Sequence, residues 1–350
     1  MRVLVTGGTG YVGSYVVKAL FEAGHEPRLL VRNRARLAAT VAAIGVDIDA
    51  LAIADGDMTD ADAVGAALAG MDAVIHAAAV VAALNRADAE RTVDTNIRGA
   101  KTVIDSAIAA GCDPVVHVSS VAAVYTPTAP LITADLAPAI AATSPYIRAK
   151  AKAEEHARAR QADGAPVTIV YPGGVSGPAA GDAFGDVAEG FVSMLTSGVV
   201  PLRGGGFGII DVRDLADVIA ATLTPGMGAR RYVAGGELLD MNGVAALLRT
   251  VTGRRMPVIP TPGVVFRGVG RAADLLRKVV SFDTVYTAEA MDLLTRARPT
   301  DDAAVHDQLG IRYRPPVETV EAMIQALYDG GRLTAKQVGR LGRSPDRVPT

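Results

Sequence analysis

Val3-Leu4-Val5-Thr6-Gly7-Gly8-Thr9-Gly10-Tyr11-Val12-Gly13 is the most informative segment of the chain. Val3-Leu4-Val5 is a short apolar run rich in β-branched residues, which predicts a buried strand. Val16, Val17, Leu20 and Phe21 then recur at helical spacing as far as Gly24, a C-cap. Strand, glycine loop and helix in that order form the geometry a dinucleotide pyrophosphate needs. Gly7 permits the tight turn, Gly10 lets the backbone approach the phosphates, and Gly13 lets the helix lie close to the strand. The backbone N–H groups of the helix start, at Tyr11 and Val12, then face the anion with the helix dipole behind them. A plain tight turn would use similar residues. The position after a strand and at the head of an amphipathic helix is what favours the nucleotide.

Along the rest of the first half, strands and helices alternate. Strands are expected over 27–31, 49–54, 73–79, 114–118 and 167–171, with helices over 34–44, 61–68, 91–110 and 145–161 between them. This pattern predicts an α/β fold, a doubly wound parallel sheet of the Rossmann type, with ligands at the carboxyl ends of the strands. Asp57 and Met58 after the third strand, Ala77 and Ala78 after the fourth, and Pro172 and Val175 after the sixth are therefore expected cofactor contacts. Past Pro172, glycine-rich loops separate shorter elements, as in a smaller C-terminal substrate lobe. The expected division is a nucleotide domain of residues 1–172 with 206–235 returning to it, a lobe of 173–205 and 236–330, and a polar tail of 331–350 that frays.

Bulk composition narrows the function. The chain has 350 residues, half of them apolar, and a net charge of −2. That balance carries no electrostatic footprint for nucleic acid. The single Cys112 excludes an internal disulfide and fits a reducing, cytoplasmic setting. Met1-Arg2 runs straight into the first strand, so no leader is expected. The longest apolar run, around 77–84, is too short to span a membrane. The five histidines have no pair at ligand spacing, so no metal site is expected.

The chemistry centres on Tyr146 and Lys150, four apart on one helix face. An ammonium beside a phenol stabilises phenolate and makes the tyrosine a tuned proton donor. Ser119 and Ser120 end the fifth strand, where a hydroxyl can donate to a substrate oxygen or merely satisfy loop backbone. Asn96 lies within the helix before that strand. Mid-helix Asn is unfavourable, so it either holds a water or caps a helix that begins there.

As a set, these motifs resemble the extended short-chain dehydrogenase/reductases, the NAD-dependent epimerase/dehydratase family. Residues 6–13 resemble its Thr-Gly-x-x-Gly-x-x-Gly, Gly56-Asp57 its adenine-contacting pair, and Asn96-Ile97-Arg98-Gly99 its Asn-x-x-Gly. Residues 171–178 resemble its substrate-lobe entry and Asp211-Val212-Arg213-Asp214-Leu215-Ala216 its Val-x-Asp-Leu-Ala segment. The likeness runs from residue 1 to about 328. It implies that Ser120, Tyr146, Lys150 and Asn96 are catalytic, that Lys150 holds the cofactor ribose, and that helices bearing Asn96 and Tyr146 pair in a homodimer. Relative to Val124-Tyr125, sugar epimerases of this branch place their Ser or Thr where Val121 stands. The spacing here is closer to dihydroflavonol reductases and 3β-hydroxysteroid dehydrogenases, which favours Ser120 and leaves Ser119 open.

An NAD site places a carboxylate at the end of the second strand. Here the strand ends at Arg32, with Arg34 and Arg36 following and no acid before Val46. Guanidinium groups there suit a 2′-phosphate, so NADP is expected, with NAD the alternative and a solvated basic helix start the plain one. The reaction expected is carbonyl–alcohol interconversion on a hydrophobic molecule. The competing reading is a nucleotide-sugar epimerase or dehydratase with retained NAD. The resemblance implies an Arg five residues before Val212 in those enzymes, and Phe207 stands there, with Arg203 nearby. A non-catalytic nucleotide sensor is a third reading, which the Tyr146/Lys150 pair disfavours. Finally, a helix over 262–280 carries Val264, Val265 and Phe266 among Arg267, Arg271, Arg277 and Lys278, followed by Phe282. Such a helix either roofs a pocket or lies on a membrane surface.

Overall fold

The computed structural model describes residues 1–79, 86–142, 144–185, 187–202, 204–276 and 287–343. Arg203, Arg277, Lys278, Phe282, the 80–84 end of the apolar run and the final residues 344–350 lie outside them. The first half alternates as expected: β1 (Arg2–Thr6), α1 (Tyr11–Glu22), β2 (Glu26–Val31), α2 (Arg34–Ala43), β3 (Ala52–Asp55), α3 (Ala61–Leu68), β4 (Ala73–His76), α4 (Arg86–Ala109), β5 (Val115–Val118), α5 (Pro145–Ala162) and β6 (Val167–Pro172). Three boundaries differ by three residues or more, the first being the fourth strand, which ends at His76. The third strand starts at Ala52 because Asp47 caps a single 3-10 turn over Ile48–Ala50, its carboxylate accepting the Asp49 N–H. The fourth helix starts at Arg86, so Asn96 stands mid-helix and is not a cap.

The second half adds β7 (Gly174–Ser176), α6 (Ala188–Ser197), β8 (Gly206–Asp211), α7 (Val212–Ala221), β9 (Arg230–Ala234), β10 (Glu237–Asp240), α8 (Met241–Thr252), α9 (Gly263–Leu276), α10 (Ala288–Thr295), α11 (Ala303–Gln308), α12 (Pro316–Asp329) and α13 (Ala335–Val338). Seven parallel strands form the main sheet in the order β3-β2-β1-β4-β5-β6-β9. The order reverses at β1 and β4, and such a switch point opens a crevice at the strands' carboxyl ends. α7 and β9 return to this body, α7 packing on α1 and β9 pairing with β6. Residues 206–211 do not. They form the central strand of a second sheet, β10-β8-β7, because Phe207 and Ile209 face the lobe's own core.

Burial explains the layering. One face of the main sheet packs Val3, Val5 and Val116 against Val16, Leu20, Leu37 and Ile219 of α1, α2 and α7. The other packs Leu4, Val74 and Ile169 against Leu68, Ile104 and Ala157 of α3, α4 and α5. Strands buried on both faces read as continuous apolar runs, which is why they stood out. The lobe has its own core of Phe191, Leu195, Val244, Leu248, Ile324 and Leu327. The tail is a correction. Through residue 343 it folds onto the lobe, with Leu333 and Val338 buried and Arg254 donating to the Gln337 carbonyl at 2.6 Å. Two apolar anchors in a polar stretch suffice to hold it.

Candidate active site

At the head of α1 the three glycines have distinct tasks. Gly7 sits at φ +86°, and a Cβ there would meet the Ala78 nitrogen at 2.6 Å. A Cβ on Gly13 would land on the Gly7 carbonyl. Gly10 is the N-cap, no side chain caps the helix, and its first turn holds no acid. An uncapped helix start beside a strand switch point fits a pyrophosphate: its N–H groups and dipole have an anion to receive. Ala77 and Ala78 back this loop directly. The Tyr11 hydroxyl donates to the Pro178 carbonyl at 3.1 Å, so its side chain ties the loop to the lobe entry.

Beside this loop, the tips of β2 and β3 carry the expected cofactor contacts Arg32 and Asp57. Arg32 reaches Asp57 at 3.3 Å, and Arg34 grips Asp55 with two bonds of 2.8 and 2.6 Å. Partial burial opposes ionisation of Asp57, yet the Thr59 N–H and hydroxyl and the Arg32 guanidinium outweigh it and hold its carboxyl below the ordinary value. Met58 points the other way, its side chain buried against Gly99 of α4. That contact explains the glycine of the Asn-x-x-Gly pattern. Pro172 closes β6 opposite Ala234, and Val175 is buried in the second sheet opposite Ile210.

At the tip of β5 the two serines part company. Ser119 is buried, and its hydroxyl has no hydrogen-bond partner among the described residues. Ser120 lines the main cavity, and its oxygen accepts the Ala122 N–H at 3.2 Å. Its own proton is thereby left to donate outward. Ser144 caps α5 by accepting the Ile147 N–H, with Pro145 pre-set at the first helical position. This start presents Tyr146, half-buried, to the same cavity wall as Ser120. One turn on, the Lys150 ammonium donates to the Val118 carbonyl at 3.2 Å, fixed against the end of β5. Asn96 is half-buried within α4, the helix packed on α5.

The cavity measures about 580 Å³. Its walls come from Phe207 of β8, Met194 of α6, Phe266 of α9, and Met291 and Leu294 of α10. Phe207 packs edge-on against Phe191, centroids 5.8 Å apart, and belongs to the lobe core. Val264 and Val265 do not join it. The helical turn points them outward, and only Phe266 faces in. The cavity residues on α10 and at Thr300 escaped the sequence reading because they lie far along the chain with no motif of their own.

Two histidines beneath the site were also missed. His76 and His117 pair across β4 and β5 and stack with centroids 5.6 Å apart. His76 shares a 2.7 Å hydrogen bond with Thr6 Oγ1, while both His117 nitrogens lack partners among the described residues. Burial first, then the Lys150 charge, pushes His76 down to about 3. Burial, then His76, Lys150 and His156, pushes His117 well below its usual value. Both rings stay neutral in the fold, whereas the unfolded chain protonates them below about pH 6.5. The stability of the neutral rings is therefore fully present above that pH and is lost as pH falls below it. Denaturant titrations should show wild type losing stability relative to His117→Leu as pH falls below about 6. A gap independent of pH would refute neutral burial.

The sheet order and the glycine loop are those of an NAD(P)-dependent oxidoreductase of the extended short-chain type. The chain belongs to the NAD dependent epimerase/dehydratase family, whose model matches residues 3–235. It is 29% identical over 287 residues to sterol demethylase protein B of Methylococcus capsulatus, covering 79% of this chain and 83% of that one. It is 33% identical over 124 residues to a 3-beta-hydroxysteroid dehydrogenase of Mycolicibacterium neoaurum, covering 34% of this chain and 32% of that one. Its fold is similar to the terminal R domain of the myxalamid PKS-NRPS pathway, with TM-score 0.78 at 18% identity over 96% of this chain and 92% of that one. Among the described residues no helix is long and apolar enough to cross a membrane, and no cluster of His, Cys, Asp or Glu could hold a metal.

Proposed function

We propose that the chain is an NADP(H)-dependent reductase or dehydrogenase that interconverts a carbonyl and an alcohol on an apolar small molecule. The observation that carries this reading is the cavity itself, apolar in most of its wall, with the Ser120 and Tyr146 side chains at one side. Its size lies within the range of small-molecule sites, about 300–1,000 Å³. When bound, the nicotinamide supplies or accepts hydride at the substrate carbon. Ser120 donates to the substrate oxygen and orients it. Tyr146 gives its proton to that oxygen as negative charge develops there, and takes it back in the reverse direction. Lys150, anchored on Val118, stabilises the phenolate that results and holds the ribose hydroxyls. Asn96, mid-helix, has a water-holding role beside them.

Two points weigh against a nucleotide-sugar substrate. Phe207 stands where a diphosphate clamp is expected, and an aromatic ring offers a phosphate no donor. The two sterol-named relatives suit an apolar cavity, and a rigid lipid-like ketone is the substrate class we assign. NADPH oxidation over a panel of ketones tests this; turnover confined to nucleotide sugars, or to small polar carbonyls, would overturn it.

Preference for the 2′-phosphate rests on Arg32 and Arg34. No acid follows them before Asp47, but Asp55 at the end of β3 and Asp57 just past it reach across. A phosphate can draw Arg32 from its single 3.3 Å bond more readily than Arg34 from its two-bond grip. Arg32→Ala should weaken NADPH binding about tenfold and leave NADH nearly unchanged. Tighter binding of NADH than NADPH by the wild type in a fluorescence titration would refute the assignment.

A further inference from the structure

The α9 helix has apolar residues on both sides. Phe266 and Gly270 face inward, Phe266 onto the cavity. On the opposite arc Val264, Leu275 and Leu276 are more than half exposed, and Val265 and Val269 nearly so. Much of the large-hydrophobic exposure among the described residues is gathered on this one helix. Scattered exposed apolar residues need no explanation, but a continuous face does.

Charge indicates what covers it. The exposed arc holds no acid, and its one charged residue is Arg271 at the margin. The helix's acid, Asp274, is turned inward and accepts the Ala288 N–H at 3.0 Å. Arg267 flanks the arc on the Arg271 side, with one guanidinium nitrogen on Thr295. An apolar strip with cations at its edge complements an anionic lipid surface: the strip enters the acyl boundary and the arginines snorkel to the headgroups. A two-fold pairing of the same arc with a second copy would instead bring Arg271 toward its own equivalent, with no acid there to compensate. The 14 described residues of the helix are too few to span a bilayer, so on a membrane they would lie in the interface.

We propose that α9 docks this protein flat on an anionic membrane surface. Phe266 then sits between the lipid and the cavity, so an apolar substrate could pass from the bilayer without crossing water. That benefit rests on the function proposed above; the docking does not.

The chain contains no tryptophan. Val269→Trp therefore gives a single reporter on the docking face, used in the full-length protein. With vesicles of phosphatidylcholine mixed with phosphatidylglycerol, its emission should shift to the blue and the protein should co-sediment. Pure phosphatidylcholine should bind it more weakly. A Val265→Asp/Leu276→Asp double variant should partition at least about tenfold less while binding NADPH as before. No co-sedimentation with either vesicle would overturn the proposal. So would a wild-type dimer that the double variant splits without any lipid binding, since the face would then join two copies of the chain.

Discussion

Replacing Tyr146 by Phe is expected to lower kcat about a thousandfold, within the range that general acid catalysis contributes. The change removes one oxygen from a half-buried side chain at the cavity wall and leaves the ring in place. NADPH binding and the melting temperature should be unchanged, because the nucleotide loop and the sheet core are untouched. The pairing of lost turnover with kept binding separates loss of a proton donor from loss of fold. Tyr125, which also lines the cavity but donates to the Arg296 carbonyl at 3.3 Å, is the control. Tyr125→Phe should keep most of the activity. Equal losses in the two variants would remove Tyr146 from the role given to it.

The second large effect is expected at Gly13. An added Cβ there would fall on the Gly7 carbonyl, a backbone group that cannot swing aside as a side chain can. Either α1 moves away from β1 or the glycine loop reshapes. Gly13→Ala should cost about 1–3 kcal/mol in stability and weaken NADPH binding about a hundredfold. Gly65, inside α3 with open space around it, provides the contrast. Gly65→Ala should stabilise by about 1 kcal/mol, since a helical glycine gives up more backbone freedom than alanine. Thermal melts and a fluorescence titration of both variants check this. Unchanged NADPH affinity in Gly13→Ala would mean that the loop does not cradle the pyrophosphate.

The features legible in the sequence were local ones. A glycine that must accept positive φ, a proline at a helix start and a strand buried on both faces each leave a mark within a few residues, as at Gly7, Pro145 and Val3-Leu4-Val5. The order of those marks was enough for the sheet. Facing directions were harder. Val264 and Val265 are as apolar as Phe266, and only the helix's docking on α10 turned them out. Between Ser119 and Ser120 the resemblance favoured the second and left the first open, and the end of β5 shows Ser120 lining the cavity with Ser119 buried. The pairing of His76 with His117 was missed, since their stacking depends on the register of two strands far apart in the chain. The tail looked frayed because Leu333 and Val338 are too sparse to form a pattern, although each finds a buried place.

The returning segment bears on how the molecule is made. As the chain leaves the ribosome, β6 is complete before residues 173–229 have been added, and until Arg230–Ala234 arrives it has no neighbour on its outer side. A nascent chain therefore carries an open row of backbone donors and acceptors for the whole time the lobe's first half is being synthesised. The last strand of the sheet closes that edge, so the birth of the nucleotide body ends only when part of the lobe is already in hand.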